Sequence, residues 1–187
     1  MLVLASQSPR RREILTAAGI PHLVRTTGVP EERGPGESPL DYVLRLSRAK
    51  AEAVHMNEGD VVLGADTVVV LDTQVLEKPR DREDAIRMLR LLSGHSHVVI
   101  TGICLRTPQI VVADSEQTVV RFVPLTQREV EAYADSGEPM DKAGGYAIQG
   151  LASKFVDRIE GCYFNVVGLP IARVYRHLSA LSIPPAA

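Results

Sequence analysis

The chain has 187 residues, of which 45% are hydrophobic and 24% charged, the composition of a folded domain and not of a disordered chain. Its 21 basic and 23 acidic side chains leave a net charge of −2, which argues against a nucleic-acid coat or a polybasic membrane tether. Aromatics make up only 4% and Trp is absent, so stacking platforms for single strands are not expected, and no apolar run approaches the roughly 20 residues of a membrane span.

Leu2 to Ala5 reads as a short buried strand. A helix then opens on Ser8 as N-cap with Pro9 at its first position, and Gly19 suits its C-terminal end. His22 to Thr26 reads as a second strand, followed by a Gly- and Pro-rich loop from Thr27 to Glu37. Ser38-Pro39 repeats the cap logic for a second helix, with Leu40, Val43, Leu44 and Leu46 at helical spacing. Val61 to Leu71 reads as a strand buried on both faces, interrupted by Asp66 and Thr67. Asp81 caps a helix that runs through Leu92. Val98 to Leu105 and Ile110 to Phe122 read as two long strands. Thr126 and Glu129 form a capping box for a helix ending at Gly137. Phe155 to Ile159 and Cys162 to Val167 read as short strands, and Leu169 to Leu181 as a final helix with a frayed Pro-Pro-Ala-Ala tail. Strands and helices mix around a hairpin-like middle, which predicts an α/β fold on a mixed sheet.

With no linker or repeat in sight, one domain is expected over residues 1–187. The apolar start, Met1 to Ala5, is too short for a signal-peptide core. Cys104 and Cys162 are far apart and lack metal-ligand spacing, so they suggest a reducing compartment, the cytoplasm. The pair His95 and His97, at the start of a strand, is expected to be exposed, and Cys162 to be a small core residue.

The chain has seventeen Arg but only four Lys: Lys50, Lys78, Lys142 and Lys154. Arg10, Arg11 and Arg12 crowd the first turn of a helix, where the macrodipole disfavours cations; a bound anion relieves the conflict. Lys50 shares a helix side with Val43 and Leu46, either snorkelling to water or held inward by an anion. Asp66 interrupts an apolar run, and a buried carboxylate needs a cation or a proton as partner. The other reading makes Asp66 a turn residue between two strands. Pro79 biases Lys78 towards an extended conformation, and Gly144-Gly145 beside Lys142 lets backbone N–H groups approach a ligand. Lysines and arginines mixed with Glu31, Asp66 and Asp141 suit a polyphosphate with its divalent metal.

Five segments carry a wider resemblance: Leu4 to Arg11, Gly64 to Val69, Leu76 to Pro79, Gly137 to Tyr146 and Asn165 to Pro170. In these the chain resembles the Maf family, nucleoside triphosphate pyrophosphatases once described as septum-formation inhibitors. The resemblance implies an elongated mixed sheet flanked by helices with a deep cleft, similar to the inosine triphosphate pyrophosphatases. It also implies hydrolysis between the α and β phosphates, dependent on a divalent metal such as Mg²⁺ or Mn²⁺. The family's catalytic Asp matches Asp66, as general base or metal holder. Its phosphate-handling residues match Ser6, Arg11, Lys50 and Lys78, and its loop acid matches Glu31, either as a metal ligand with Asp66 or as a loop anchor. Pro30 stands where the family has a further acid. Members acting on dTTP and UTP carry the residues found here as Arg10, Thr67 and Gln149, whereas the branch acting on 7-methyl-GTP differs there. The expectation is a cytoplasmic dTTP/UTP pyrophosphatase, with a nucleoside triphosphate and a second copy of the chain, as a homodimer, for partners and neither nucleic acid nor membrane. The alternatives are a 7-methyl-GTP or broad nucleotide pyrophosphatase, and a non-catalytic regulator of cell division.

Overall fold

The computed structural model describes residues 1–181; the Pro-Pro-Ala-Ala tail lies outside the described residues. The chain divides into two compact units. The first comprises Met1–Asp66, Thr101–Glu116 and the residues from Gly168 onward; the second comprises Thr67–Ile100 and Gln117–Val167.

The elements in chain order are β1 (Leu2–Ala5), α1 (Pro9–Ala17), β2 (His22–Val24), α2 (Pro39–Glu52), β3 (Val61–Leu71), β4 (Gln74–Leu76), α3 (Arg82–Leu92), β5 (Ser96–Arg106), β6 (Val111–Phe122), α4 (Gln127–Asp135), β7 (Val156–Glu160), α5 (Tyr163–Val167) and α6 (Ile171–Ala180). Seven strands form a mixed sheet in the order β2-β1-β3-β5-β6-β7, with β4 paired to β3. β1 is parallel to both neighbours, with Leu2 opposite His22 on one side and Val61 on the other. β4 is antiparallel to β3, and β7 to β6.

In the first unit the helix starts follow the predicted chemistry. Ser8 accepts the Arg11 amide and Ser38 the Asp41 amide, each followed by Pro in the first turn, and Gly19 ends α1 with φ of 66°. Val3, Ala5, Ala51, Val54, Val62 and Cys104 pack together as a core. Helix α2 lies unusually close to the sheet. A Cβ on Gly64 of β3 would overlap the Ser47 carbonyl oxygen, and one on Gly102 of β5 would stand 2.5 Å from the Val43 carbonyl oxygen. Two glycines therefore let the helix backbone rest on the strands.

In the second unit, Leu76, Leu89, Leu92, Phe122, Val130, Tyr133, Tyr146 and Phe155 belong to a larger core. Asp81 caps α3, and Thr126 with Glu129 forms the expected capping box on α4. Two expectations need correction here. Residues 163–167 are helical, not a strand: Asn165 Nδ2 donates to the Val99 carbonyl at 3.0 Å and to Thr118 Oγ1 at 2.9 Å, while Cys162 exchanges hydrogen bonds with the same hydroxyl. Side-chain bonds thus satisfy a segment whose apolar run read as a ladder strand. The second correction is His97, which is only 2% exposed. Its Nε2 pairs with Tyr146 Oη at 2.8 Å, and its ring meets Phe122 edge-on at 5.1 Å.

Burial pushes the His97 imidazole down to about 4. An unfolded histidine titrates near ~6.5, so between these values the unfolded chain binds the proton and the folded one does not. Stability therefore rises with pH across this window and is lost as pH falls through it. His97 alone should remove ~2 kcal/mol between pH 7.5 and pH 5. Urea unfolding at the two pH values measures the loss. His97→Phe, which takes no proton, should show a correspondingly shallower pH dependence, and identical dependence in the two proteins would refute the assignment.

Candidate functional site

The first unit brings together most of the residues singled out from the sequence. Asp66 sits in the middle of β3, which continues unbroken through it, so neither an interruption nor a hairpin turn occurs there. The residue is 6% exposed. The reason is a partner: Lys50, on the inner face of α2 and also 6% exposed, donates from Nζ to Asp66 Oδ1 at 2.6 Å. The same ammonium donates to Glu31 Oε1 at 2.6 Å. Lys50 is therefore not snorkelling to water; two carboxylates hold it inward.

Arg11 completes the cluster. It is 8% exposed, its Nε donates to the Gly168 carbonyl at 2.8 Å, and its Nη1 donates to Ser6 Oγ at 3.2 Å. Ser6 Oγ also accepts the Ser8 amide at 3.2 Å, so the turn between β1 and α1 is tied to the guanidinium it carries. Arg10 lies beside it in the first turn, half-buried. Burial is the strongest influence on Arg11 and lowers its pKa, while the charges of Asp66 and Glu31 act the other way.

Asp66 itself is shifted upward. Burial is the largest cause, opposed by Lys50 and Arg11 and assisted by Glu31. Desolvation thus outweighs even a 2.6 Å ion pair, the condition in which a carboxylate gains basicity without losing its charge partner.

Glu31 reaches Lys50 from a loop, and α2 holds that loop. Tyr42 Oη donates to the Glu31 carbonyl at 3.0 Å, and Arg45 Nη2 to the Glu32 carbonyl at 2.9 Å. Arg45 also grips Glu37 with both faces of its fork, at 2.6 and 2.8 Å. That pairing, with the Gly34 amide, holds the Glu37 carboxyl down at about 2. Sequence reading missed Tyr42 and Arg45, because their loop partners lie outside the helix and no periodicity reports them.

Thr67, Lys78 and Gln149 belong to the second unit. Thr67 follows Asp66 in β3 and is half-buried. Lys78 is exposed just after β4, where the Gly144 amide donates to the Glu77 carbonyl at 3.1 Å. Gln149 is exposed directly after five buried residues, 144–148.

Among the described residues no group of three or more His, Cys, Asp or Glu side chains is arranged to hold a metal ion. Asp66 and Glu31, both on one ammonium, supply two carboxylates. Mg²⁺ typically takes one or two protein carboxylates and completes its shell with waters and substrate phosphates, so this donor set fits such an ion arriving with a polyphosphate.

Comparison with known proteins adds four findings. A sequence model of the family described as Maf-like protein matches residues 1–181. The chain is 53% identical over 176 residues to a dTTP/UTP pyrophosphatase of Koribacter versatilis, covering 94% of this chain and 91% of that one. It is 47% identical over 184 residues to a dTTP/UTP pyrophosphatase of Symbiobacterium thermophilum, covering 98% and 95%. Among solved structures, a nucleoside-triphosphatase/dITP/XTP pyrophosphatase from Mycobacterium abscessus aligns over 98% of this chain and 97% of its own at 12% identity, with a TM-score of 0.43.

Proposed function

Because the chain belongs to the Maf-like protein family, we propose that it hydrolyses dTTP and UTP to the nucleoside monophosphate and pyrophosphate. The observation that carries this reading is the convergence of Ser6, Arg11, Lys50 and Asp66, all buried, with the exposed Glu31, on one charged cluster. The names of the two relatives, both dTTP/UTP pyrophosphatases, supply the substrate class.

In this reading a water attacks the α-phosphorus and the bond to the β-phosphate oxygen breaks. Asp66 takes the proton from the attacking water. Its burial suits that role, since a base works best when its pKa is raised towards the working pH. Arg11 and Lys50, with Ser6, Arg10 and Lys78, neutralise the triphosphate; charge-assisted contacts to phosphate are among the strong ones. In the alternative role, as metal holder, Asp66 with Glu31 would hold a divalent ion, whose chemistry there is to polarise the phosphoryl oxygens. We place the protein in the cytoplasm: two free cysteines, Cys104 and Cys162, fit a reducing compartment, and no helix of the described residues is long and apolar enough to cross a membrane.

Release of pyrophosphate from a panel of nucleoside triphosphates, with and without Mg²⁺, tests the proposal. dTTP and UTP should be turned over fastest. Preference for 7-methyl-GTP, or no turnover of any triphosphate, would sink it.

Gln149 is assigned to the base. A uracil or thymine edge offers carbonyl acceptors beside an N–H donor, and an amide matches both. Gln149→Glu supplies acceptors only, so a substrate carbonyl is left without a donor. The preference for dTTP and UTP over GTP should fall by about 5- to 150-fold, the equivalent of ~1–3 kcal/mol. Equal losses of kcat/KM for all substrates would show that Gln149 does not read the base.

A further inference from the structure

Resting on the assignment of Gln149 to the base, we infer that Glu138 and Tyr133 are positioning residues for base selectivity, which clamp the turn that presents Gln149. Both lie in the second unit, as does the turn. Tyr133, on α4, accepts the Ala147 amide at 3.1 Å and donates its hydroxyl proton to Glu138 Oε1 at 2.7 Å. The Glu138 carboxylate in turn accepts the Leu151 amide, at 3.0 Å to Oε1 and 3.1 Å to Oε2. One side-chain pair therefore grips the backbone two residues before Gln149 and two residues after it.

The turn is shaped for this grip. A Cβ on Gly150 would stand 2.5 Å from both Glu138 carboxylate oxygens, so a side chain there would push the carboxylate out of its present place. The Gly150 amide closes the turn on the Ala147 carbonyl at 3.0 Å. Glu138 is itself anchored, its amide donating to Ser136 Oγ at 3.2 Å and its carbonyl accepting from Lys142 Nζ at 2.6 Å. Upstream, Tyr146 is held by His97 at 2.8 Å. Burial and the bond to Glu138 both raise the Tyr133 phenol's pKa, so the hydroxyl keeps the proton that it donates.

The pair holds the turn by its backbone amides, at Ala147 and Leu151, and not by the Gln149 side chain. That amide side chain is left outside, exposed on a turn whose preceding residues, 144–148, are buried. A recognition group is only as selective as its position is fixed, and small misplacements are costly. Loosening the clamp leaves Gln149 present but poorly aimed. Contacts to the triphosphate come from other segments, so the loss falls on the base.

The test is kcat/KM for dTTP, UTP and GTP in wild type, Tyr133→Phe, Glu138→Gln, Gln149→Ala and the double variant Tyr133→Phe/Gln149→Ala. Tyr133→Phe retains the ring that packs edge-on against Phe155 at 5.5 Å, so the fold is preserved while both hydrogen bonds go. Glu138→Gln puts an amide donor against the Leu151 N–H. In each of these two variants the pyrimidine preference should drop by about 5- to 30-fold, the equivalent of one or two hydrogen bonds. The double variant should be no less selective than Gln149→Ala, because the clamp acts through Gln149. Equal losses for all three substrates, or a further loss of preference in the double variant, would overturn the clamp alone. A wild type with no pyrimidine preference would overturn the assignment of Gln149 and this inference with it.

Discussion

Asp66→Asn should lower kcat by at least ~10²-fold, the low end of what a positioned general base contributes, while the protein stays folded. The asymmetry comes from Lys50. Its ammonium donates to both Asp66 and Glu31, so an asparagine oxygen at position 66 still accepts one bond and Glu31 still balances the charge. What disappears is the anionic oxygen that either role, base or metal holder, demands. Pyrophosphate release under saturating dTTP gives kcat, and circular dichroism with urea unfolding checks the fold. A variant that turns over at near wild-type rates would remove Asp66 from the chemistry.

Lys50→Met should do the opposite, damaging stability as well as turnover. It strands a carboxylate that is 6% exposed. Removing one partner of a buried pair costs ~3–5 kcal/mol, and the lower end is expected here because Arg11 still stabilises the Asp66 charge. Urea unfolding at pH 7 measures the loss. The double variant Lys50→Met/Asp66→Asn should regain much of it, since the uncompensated charge is then gone. A loss below ~1 kcal/mol in the single variant would mean that the pair is solvated in practice.

Features written in local sequence were legible before the structure: the caps Ser8, Ser38, Asp81 and Thr126 all bond as their residue types suggest. Asp66 was legible as a residue in need of a partner, since a carboxylate in an apolar run has few ways to survive. Its place within an unbroken strand was not legible, because that depends on an ammonium arriving from sixteen residues upstream. His97 failed for the same reason in reverse. Histidine beside a strand start reads as exposed until a tyrosine from a distant loop supplies its partner. Segment 162–167 misread because two valines outweighed Asn165, whose amide reaches Val99 and Thr118 instead. The hold of Tyr42 and Arg45 on the Glu31 loop leaves no periodic trace at all.

The glycines under α2 make the spacing of the charged cluster a backbone property. A helix held off a sheet by interlocking side chains shifts whenever one of them changes size. Where the Ser47 and Val43 carbonyls come up against Gly64 and Gly102, no side chain intervenes to set the gap. The distance that a four-carbon lysine must reach from α2 to Asp66 is thereby insulated from drift in the surrounding core. Valines, leucines and isoleucines elsewhere can exchange over evolutionary time without retuning the reach of Lys50, and the freedom of the core rests on two positions that have none.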